Sequence, residues 1–184
     1  MKAEGTILVP LAQGFEEIEA VTIVDVLRRA GLDVTVAGLG PGPIEGAHGI
    51  ALTTDCELSA VDAARLRMIV LPGGMPGTTN LVEDERVLRI VRELARTGRP
   101  TAAICAAPTV LARAGVLEGK RATCYPGFQG ELGGAKAVDE RVVRAGNVLT
   151  SQGPGTALEF ALAIVEDLCG AAKARDLGRA MIAR

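Results

Sequence analysis

Short apolar runs alternate along the chain with segments whose apolar residues recur at helical spacing, and this alternation limits the possible folds more than any other feature. Several runs contain almost no polar residue, which is typical of parallel strands buried on both faces. The alternation predicts an α/β fold with a mostly parallel sheet and helices on both faces. The runs predicted as strands are residues 6–10, 34–39, 67–71, 101–105 and 147–151.

Three amphipathic helices are predicted between and after these strands. The first covers residues 18–30. The third begins at a candidate capping box formed by Thr156 and Glu159. The second places its apolar residues at the i, i+3, i+4, i+7 spacing of one helix face, namely Val87, Ile90, Val91 and Leu94.

Two further features are predicted in the second half of the chain. Residues 141–144 are expected to form a hairpin with the last strand, because a tight turn separates the two segments. Residues 126–137 hold four glycines and little periodicity, so a surface loop is expected there.

Length and charge restrict the class of protein. The 184 residues, with 48% hydrophobic side chains, are enough for one sizeable core, so a single domain over residues 1–184 is predicted. The net charge of -2 comes from interspersed signs, so nucleic acid is not expected as the principal ligand. No apolar stretch approaches the roughly 20 residues needed to span a bilayer. A cytoplasmic protein without membrane contact is expected.

The cysteines give no metal-ligand or disulfide pattern. Cys56, Cys105, Cys124 and Cys169 are widely spaced, without a CxxC pair or a Cys/His cluster. A reduced compartment and no metal site are therefore expected.

Cys105 is the candidate nucleophile. It ends the predicted strand 101–105, and Pro108 suits the first turn of a following helix. Ala103 and Ala107 flank it at the spacing of a nucleophile elbow, where bulky neighbours would clash across a sharp turn. A thiol at a helix N-terminus is expected to have a lowered pKa. A buried structural cysteine is the alternative.

Two glycines follow the strand 67–71 and offer backbone donors. Gly73 and Gly74 allow a close approach of a ligand to the main chain. Together with the amide of Ala106 they are candidates for an oxyanion hole, and a plain glycine turn is the alternative. Tyr125 is a candidate pocket-lining residue or a packing residue.

Three carboxylates lie near the start of the first predicted helix, where the helix dipole favours negative charge with or without a chemical role. Composition does not choose which of Glu16, Glu17 and Glu19 faces the sulfur of Cys105. His48 is the only histidine and lies in a glycine-rich loop. A Cys–His pair would have to use it, and we expect none.

Four motifs, in order over nearly the whole chain, resemble those of the ThiJ/PfpI (DJ-one) superfamily, in the branch of the Parkinson-disease-associated deglycase. The resemblance implies a flavodoxin-like (class I glutamine amidotransferase-like) sandwich and a homodimer. The motifs are Gly14-Phe15-Glu16-Glu17-Ile18-Glu19, Leu71-Pro72-Gly73-Gly74, Ala102-Ala103-Ile104-Cys105-Ala106-Ala107-Pro108 and Thr150-Ser151-Gln152-Gly153-Pro154-Gly155-Thr156.

The resemblance also implies roles for particular residues. Cys105 would be the nucleophile, and a protonated, buried Glu19 would be its partner, because burial raises a carboxyl pKa. Gly74 and Ala106 would supply backbone donors. A network of charges on the dimer side of the pocket would include Glu16, Asp25 and Arg29.

The implied function is a glyoxalase III or deglycase-like activity on methylglyoxal or glycated adducts, with no metal or organic cofactor. A redox-sensing or chaperone-like stress protein switched by Cys105 oxidation is the alternative. A PfpI-type cysteine peptidase is a weaker alternative, because these peptidases place a histidine directly after the cysteine, where this chain has Ala106. Deglycase-like relatives often have a histidine before a proline near the pocket, where this chain has Tyr125. A flavodoxin-like scaffold that binds a nucleotide is a third alternative, but this sequence contains no recognisable phosphate-binding motif.

Overall fold

The chain is arranged around a central sheet with helices on both faces, and the computed structural model describes residues 5–183. The strands are β1 (Thr6–Leu11), β2 (Val34–Gly38), β3 (Ile44–Glu45), β4 (Ala51–Leu52), β5 (Cys56–Glu57), β6 (Leu66–Leu71), β7 (Thr101–Ile104), β8 (Arg121–Ala122), β9 (Lys136–Ala137), β10 (Val142–Ala145) and β11 (Val148–Ser151). The helices are α1 (Glu17–Arg29), α2 (Gly77–Glu83), α3 (Glu85–Arg96), α4 (Pro108–Arg113), α5 (Ala157–Cys169) and α6 (Ala171–Ala180).

The main sheet has seven strands in the order β10-β11-β7-β6-β1-β2-β5. All neighbours run parallel except β10, which is antiparallel to β11. Because β6 and β7 are adjacent and parallel, the segments that follow Leu71 and Ile104 leave the same edge of the sheet side by side. This topology brings the glycine pair next to Cys105.

Side chains of the central strands alternate between two apolar cores. On β1, Ile7 and Val9 pack in the core shared with α1 and α5, whereas Leu8 packs in the core shared with α3 and α4. Phe160 of α5 and Leu88 of α3 are both almost completely buried, one in each core. Burying such a side chain contributes about 1.5–3 kcal/mol. Both faces of the sheet are covered, so the central strands are apolar along their whole length. The sequence predicts strands of this kind.

The predicted fold class and main elements are confirmed. All five predicted strands occur, the first predicted helix corresponds to α1, and residues 142–145 pair with β11 as a hairpin. The loop 126–137 is largely irregular and exposed, with one 3-10 turn at Gln129–Glu131 and the short strand β9 at its end. Sequence reasoning missed α2 and α6, because α2 is short and begins with poor helix formers, and α6 has few apolar residues.

The predicted capping box at the start of α5 is wrong. The Thr156 hydroxyl bonds to Gly153 and to the Ser151 hydroxyl, and the Glu159 carboxylate instead pairs with Arg141 at 2.7 Å. A preceding 3-10 turn, Pro154–Thr156, turns Thr156 back toward the sheet. Among the helices of residues 5–183, none combines the length and the apolar character that a membrane span requires.

Candidate active site

Cys105 lies between β7 and α4 in a backbone conformation that is rare for a residue with a side chain. Its φ is 65°, in the left-handed region, which costs about 1–2 kcal/mol for such a residue. Neighbouring backbone holds it there: the Cys105 N–H donates to the Ser151 carbonyl at 3.0 Å, and its carbonyl accepts from the Tyr125 N–H at 2.8 Å. The predicted sharp turn is therefore present and is fixed from both sides.

Gly73 lies between Cys105 and Glu19. Its N–H donates to Glu19 Oε2 at 2.7 Å. A Cβ atom on Gly73 would stand 2.5 Å from Cys105 Cβ and 2.9 Å from Glu19 Oε2, closer than real Cβ contacts allow. Only glycine fits here, and its small size lets the carboxyl group and the thiol lie next to each other.

Gly74, in the loop that follows β6, packs against the backbone at the start of α1. Its φ is 93°, and a Cβ there would collide with the backbone of Phe15 and Glu16. The Glu16 N–H donates to the Gly73 carbonyl at 2.8 Å, and the Gly77 N–H donates to the Gly14 carbonyl at 3.1 Å. These backbone bonds fix the first turn of α1 beside the elbow, which is why Glu19 points at Cys105.

Glu19 is completely buried. Burial raises its pKa to about 7, against the opposing effects of the Gly73 N–H and the Cys105 thiol. Its second oxygen, Oε1, has no hydrogen-bond partner of ordinary length among residues 5–183. At neutral pH this carboxyl group is therefore close to its midpoint and has one oxygen free to take up or release a proton.

The pKa of Cys105 is raised to about 12, first by burial and then by the negative charge of Glu19. The backbone N–H groups of Gly74 and Ala106 act on the sulfur in the opposite direction but are outweighed. The expectation that position alone lowers the pKa of this thiol is therefore wrong. The physical reasons are that burial disfavours the charged thiolate and that the Glu19 carboxylate next to the sulfur is negative.

Tyr125 reaches the elbow through its backbone. The residue as a whole is 47% exposed. The ring lies beside Gly153, where a Cβ would stand 3.1 Å from Tyr125 Cδ2. Its ring therefore borders the glycine that follows β11, in the loop next to the elbow.

The three charged residues expected to form a dimer-side network are not brought together within one chain. Asp25 and Arg29 form an exposed ion pair of 2.7 Å on α1. Glu16 lies at the start of that helix, with His48 Nδ1 at 3.6 Å from its Oε2 atom. Participation of a second chain in such a network stays a prediction.

Sequence reasoning missed an interaction between Glu17 and His48. The His48 ring donates from Nδ1 to Glu17 Oε2 at 2.8 Å, and the His48 backbone N–H donates to Glu17 Oε1 at 2.7 Å. Burial alone would raise the pKa of Glu17, but these hydrogen bonds hold it at about 2. The side-chain contacts of His48 that the structure describes are with the carboxylates of Glu16 and Glu17 and do not include Cys105.

Comparison with known proteins identifies the family of the chain. Residues 5–167 match the model of the DJ-1/PfpI family. The chain is similar to DJ-1 homolog B of Arabidopsis thaliana, at 41% identity over 97% of this chain, although it spans only 41% of that longer protein. It is also similar to a protein of Caenorhabditis elegans named glutathione-independent glyoxalase DJR-1.2, at 40% identity over 88% of this chain and 87% of that protein.

A solved structure gives the same result for the fold. The crystal structure of Drosophila melanogaster DJ-1beta superposes with a TM-score of 0.94 at 41% identity, covering 98% of this chain and 99% of that one. The flavodoxin-like architecture, the order of the motifs and the sequence identity lead to one conclusion: the chain belongs to the DJ-1/PfpI family.

Proposed function

We propose that this protein is a cysteine-dependent glyoxalase or deglycase-like enzyme that acts on small reactive carbonyl compounds such as methylglyoxal or its adducts. The observation that carries the proposal is the close approach of Gly73 to both Cys105 and Glu19, which puts a thiol next to a carboxyl group of pKa about 7. A base with a pKa near the working pH transfers protons most effectively.

Because the thiol keeps its proton at neutral pH, a base must remove that proton during attack. The Glu19 carboxylate accepts the proton of Cys105 while the sulfur adds to the aldehyde carbon. A bond forms between sulfur and carbon, and the carbonyl oxygen gains a negative charge. The N–H groups of Gly74 and Ala106 are the candidate donors to this oxygen, because both already face the sulfur.

The remaining steps need no external oxidant or reductant. Glu19 returns its proton to the oxygen, which gives a hemithioacetal. The hydrogen on that carbon then moves as a proton to the neighbouring ketone carbon, while the hydroxyl proton moves to the ketone oxygen. One carbon is thereby oxidised, the other is reduced, and a lactoyl thioester is left. Water hydrolyses the thioester to lactate and frees the thiol. In sum, methylglyoxal and water give lactic acid.

Support for the substrate class comes from the relatives. The C. elegans protein at 40% identity is named a glutathione-independent glyoxalase. A thiol of the protein itself can replace that of glutathione in such a reaction. Here the elbow at Cys105 offers such a thiol. A cytoplasmic location and the lack of a nucleic-acid ligand stay predictions from the sequence.

The decisive experiment is an assay of lactate from methylglyoxal without added glutathione. We expect turnover in the wild type and none above the uncatalysed rate in Cys105→Ser, with Cys56→Ser as the matched control because Cys56 lies at the far edge of the sheet. Equal rates in the wild type and Cys105→Ser would remove the proposed activity.

A redox-sensing role is the second candidate, and one observation favours it. The N–H groups of Gly74 and Ala106 face the Cys105 sulfur and could hydrogen-bond to the oxygens of an oxidised cysteine. Peptide mass mapping after mild peroxide treatment should find oxygen on Cys105 first. Uptake spread evenly over the four cysteines would contradict this role.

A homodimer is the assembly that we propose. Ile18 and Val21 are 58% and 45% exposed and lie three residues apart on one face of α1, and Ile50 is 56% exposed. Large apolar side chains on one helix face are typical of surfaces that another chain covers.

A further inference from the structure

The motif at residues 150–156 is the only one of the four sequence motifs to which the proposed chemistry assigns no role. It begins in β11 and ends just before α5. Three of its side chains carry a hydroxyl group and are buried, namely Thr150, Ser151 and Thr156. Burying a hydroxyl costs free energy unless it is hydrogen-bonded. The partners of these hydroxyls therefore show which part of the fold they hold in place.

One of the two backbone hydrogen bonds at Cys105 is made by this motif. The Ser151 carbonyl accepts from the Cys105 N–H at 3.0 Å. The Ser151 hydroxyl lies 2.6 Å from the Thr156 hydroxyl, and the Thr156 hydroxyl accepts from the Gly153 N–H at 3.1 Å. The residue that binds the Cys105 backbone is thereby tied, through two hydroxyl groups, to the residue that precedes α5.

The other backbone hydrogen bond at Cys105 is supported by Thr150. The Thr150 hydroxyl accepts from the Thr123 N–H at 3.0 Å, and both residues are almost completely buried. Two residues further along the chain, the Tyr125 N–H donates to the Cys105 carbonyl at 2.8 Å. Residues 123–125 are therefore bound to β11 at one end and to Cys105 at the other. Hydroxyl groups of one motif thus lie behind the hydrogen bonds on both sides of Cys105.

Cys105 requires this support because its φ of 65° is unfavourable for a residue with a side chain. Such conformations persist only where the surroundings fix them in several ways. With either hydrogen bond weakened, we expect the backbone to relax and the sulfur to move away from the N–H groups of Gly74 and Ala106. These two N–H groups favour the thiolate, so their loss should make the thiol less reactive.

We infer that Thr150 and Thr156 are positioning residues for Cys105. Thr156 acts through Ser151 and Thr150 acts through residues 123–125. Together they hold the strained backbone conformation in which the thiol reacts. This role goes beyond the proposed enzyme activity, because the reactivity of the thiol governs both attack on a carbonyl compound and oxidation by peroxide.

The test removes single hydroxyl groups and measures how fast Cys105 reacts with iodoacetamide. Peptide mass mapping distinguishes Cys105 from Cys56, Cys124 and Cys169. Thr156→Val should slow the labelling of Cys105 by about tenfold, since displacing a reacting group by about 1 Å costs on the order of 100-fold and a smaller shift is expected here. Thr156→Ser keeps the hydroxyl and should restore the wild-type rate although it loses a methyl group, which separates the hydrogen bond from packing.

Thr101→Val is the matched control. Thr101 lies on β7, the strand that leads into Cys105, and it is completely buried, but its hydroxyl has no hydrogen-bond partner among residues 5–183. This variant should therefore label Cys105 at the wild-type rate. Labelling slowed equally in Thr101→Val and Thr156→Val would show that the particular hydrogen bonds have no part in the effect.

Thr150→Val and Thr150→Ser repeat the comparison from the other side of Cys105. Thr150→Val should again slow labelling by about tenfold, and it decides the question if Thr156→Val does not fold, as judged by circular dichroism. Wild-type labelling of Cys105 in a folded valine variant would overturn the role of that residue. Labelling needs no turnover of methylglyoxal, so failure of the lactate assay and failure of this positioning role are distinguishable.

Discussion

The backbone N–H of Gly73 donates a 2.7 Å hydrogen bond to Glu19 Oε2, and no side chain at position 73 could fit between Glu19 and Cys105. One residue thus orients the carboxyl group and sets its separation from the sulfur. The bond also favours the charged form of Glu19, whereas burial favours the neutral form. The balance leaves the pKa of Glu19 at about 7.

Gly73→Ala should therefore reduce activity without unfolding the protein. The added methyl group must move Cys105, Glu19 or both, because its Cβ would lie 2.5 Å from Cys105 Cβ. Misplacing a reacting group by about 1 Å costs on the order of 100-fold in rate. Lactate formation from methylglyoxal measures the loss, and circular dichroism checks the fold.

Gly40→Ala is the matched control for this substitution. A Cβ at Gly40 meets nothing within 4 Å, so this variant should keep the wild-type rate. If Gly73→Ala and Gly40→Ala turned over methylglyoxal equally fast, the close approach at Gly73 would have no part in the chemistry.

The main sheet could be predicted from the sequence because burial on both faces demands apolar strands. β1 and β6 are apolar runs for that reason, with alternate residues in each core. The two-residue strands could not be predicted, neither β5, which pairs with β2 at the edge of the main sheet, nor β3, β4, β8 and β9, which form two separate pairs. They carry no periodic pattern, and the two separate pairs exist only because neighbouring loops pair across the surface.

Prediction of the site had a similar limit. Cys105, Gly73 and Gly74 could be found because each follows a strand and the two strands are adjacent, so local position fixes their meeting. The pairing of Glu17 with His48 depends on the contact of Phe15 with Gly46, which no local pattern shows. The raised pKa of Cys105 depends on burial, which spacing does not reveal.

Glu19→Gln should lower the pKa of Cys105 and also lower turnover. The negative charge of Glu19 raises the thiol pKa, so its removal brings that pKa below about 12, although burial still holds it above its ordinary value. Turnover falls because the proton acceptor is lost. Iodoacetamide labelling against pH reports the thiol pKa, with Glu85→Gln as the control. A thiol pKa that rises in Glu19→Gln would instead mean that a protonated Glu19 stabilises the thiolate.

The rate of the wild type should rise with pH around 7. Glu19 accepts the thiol proton only when it is ionised, and its pKa is about 7. The value of kcat/KM for methylglyoxal should therefore increase from pH 5.5 to 8 and then level off. The same profile in Glu19→Gln should lose this inflection, and a wild-type profile that is flat over this range would exclude Glu19 as the base.

Because Glu19 is buried, the folded protein should become less stable to unfolding as the pH rises from 4.5 to about 7, and it should stay less stable above that range. Its carboxyl titrates at 4.5 in the ordinary case and at about 7 in the fold, so between these values the folded chain holds a proton that the unfolded chain has lost. Stability therefore falls as pH rises through this window, by up to about 3 kcal/mol. Urea unfolding should show that Glu19→Gln gains stability over the wild type at pH 8 but gains little at pH 4. An equal difference at both pH values would contradict the raised pKa.

The exposed apolar face of α1 should carry the proposed self-association. Val21→Glu would place a charge where a second chain covers Ile18 and Val21, and burying an unpaired carboxylate is costly. The wild type should sediment at about twice its 19.0 kDa chain mass, and Val21→Glu at about that mass. Ile182→Glu alters a residue that is 84% exposed outside α1, so it should sediment like the wild type. A wild-type chain that sediments as a monomer, or dimers that survive Val21→Glu unchanged, would show that this face does not join two copies.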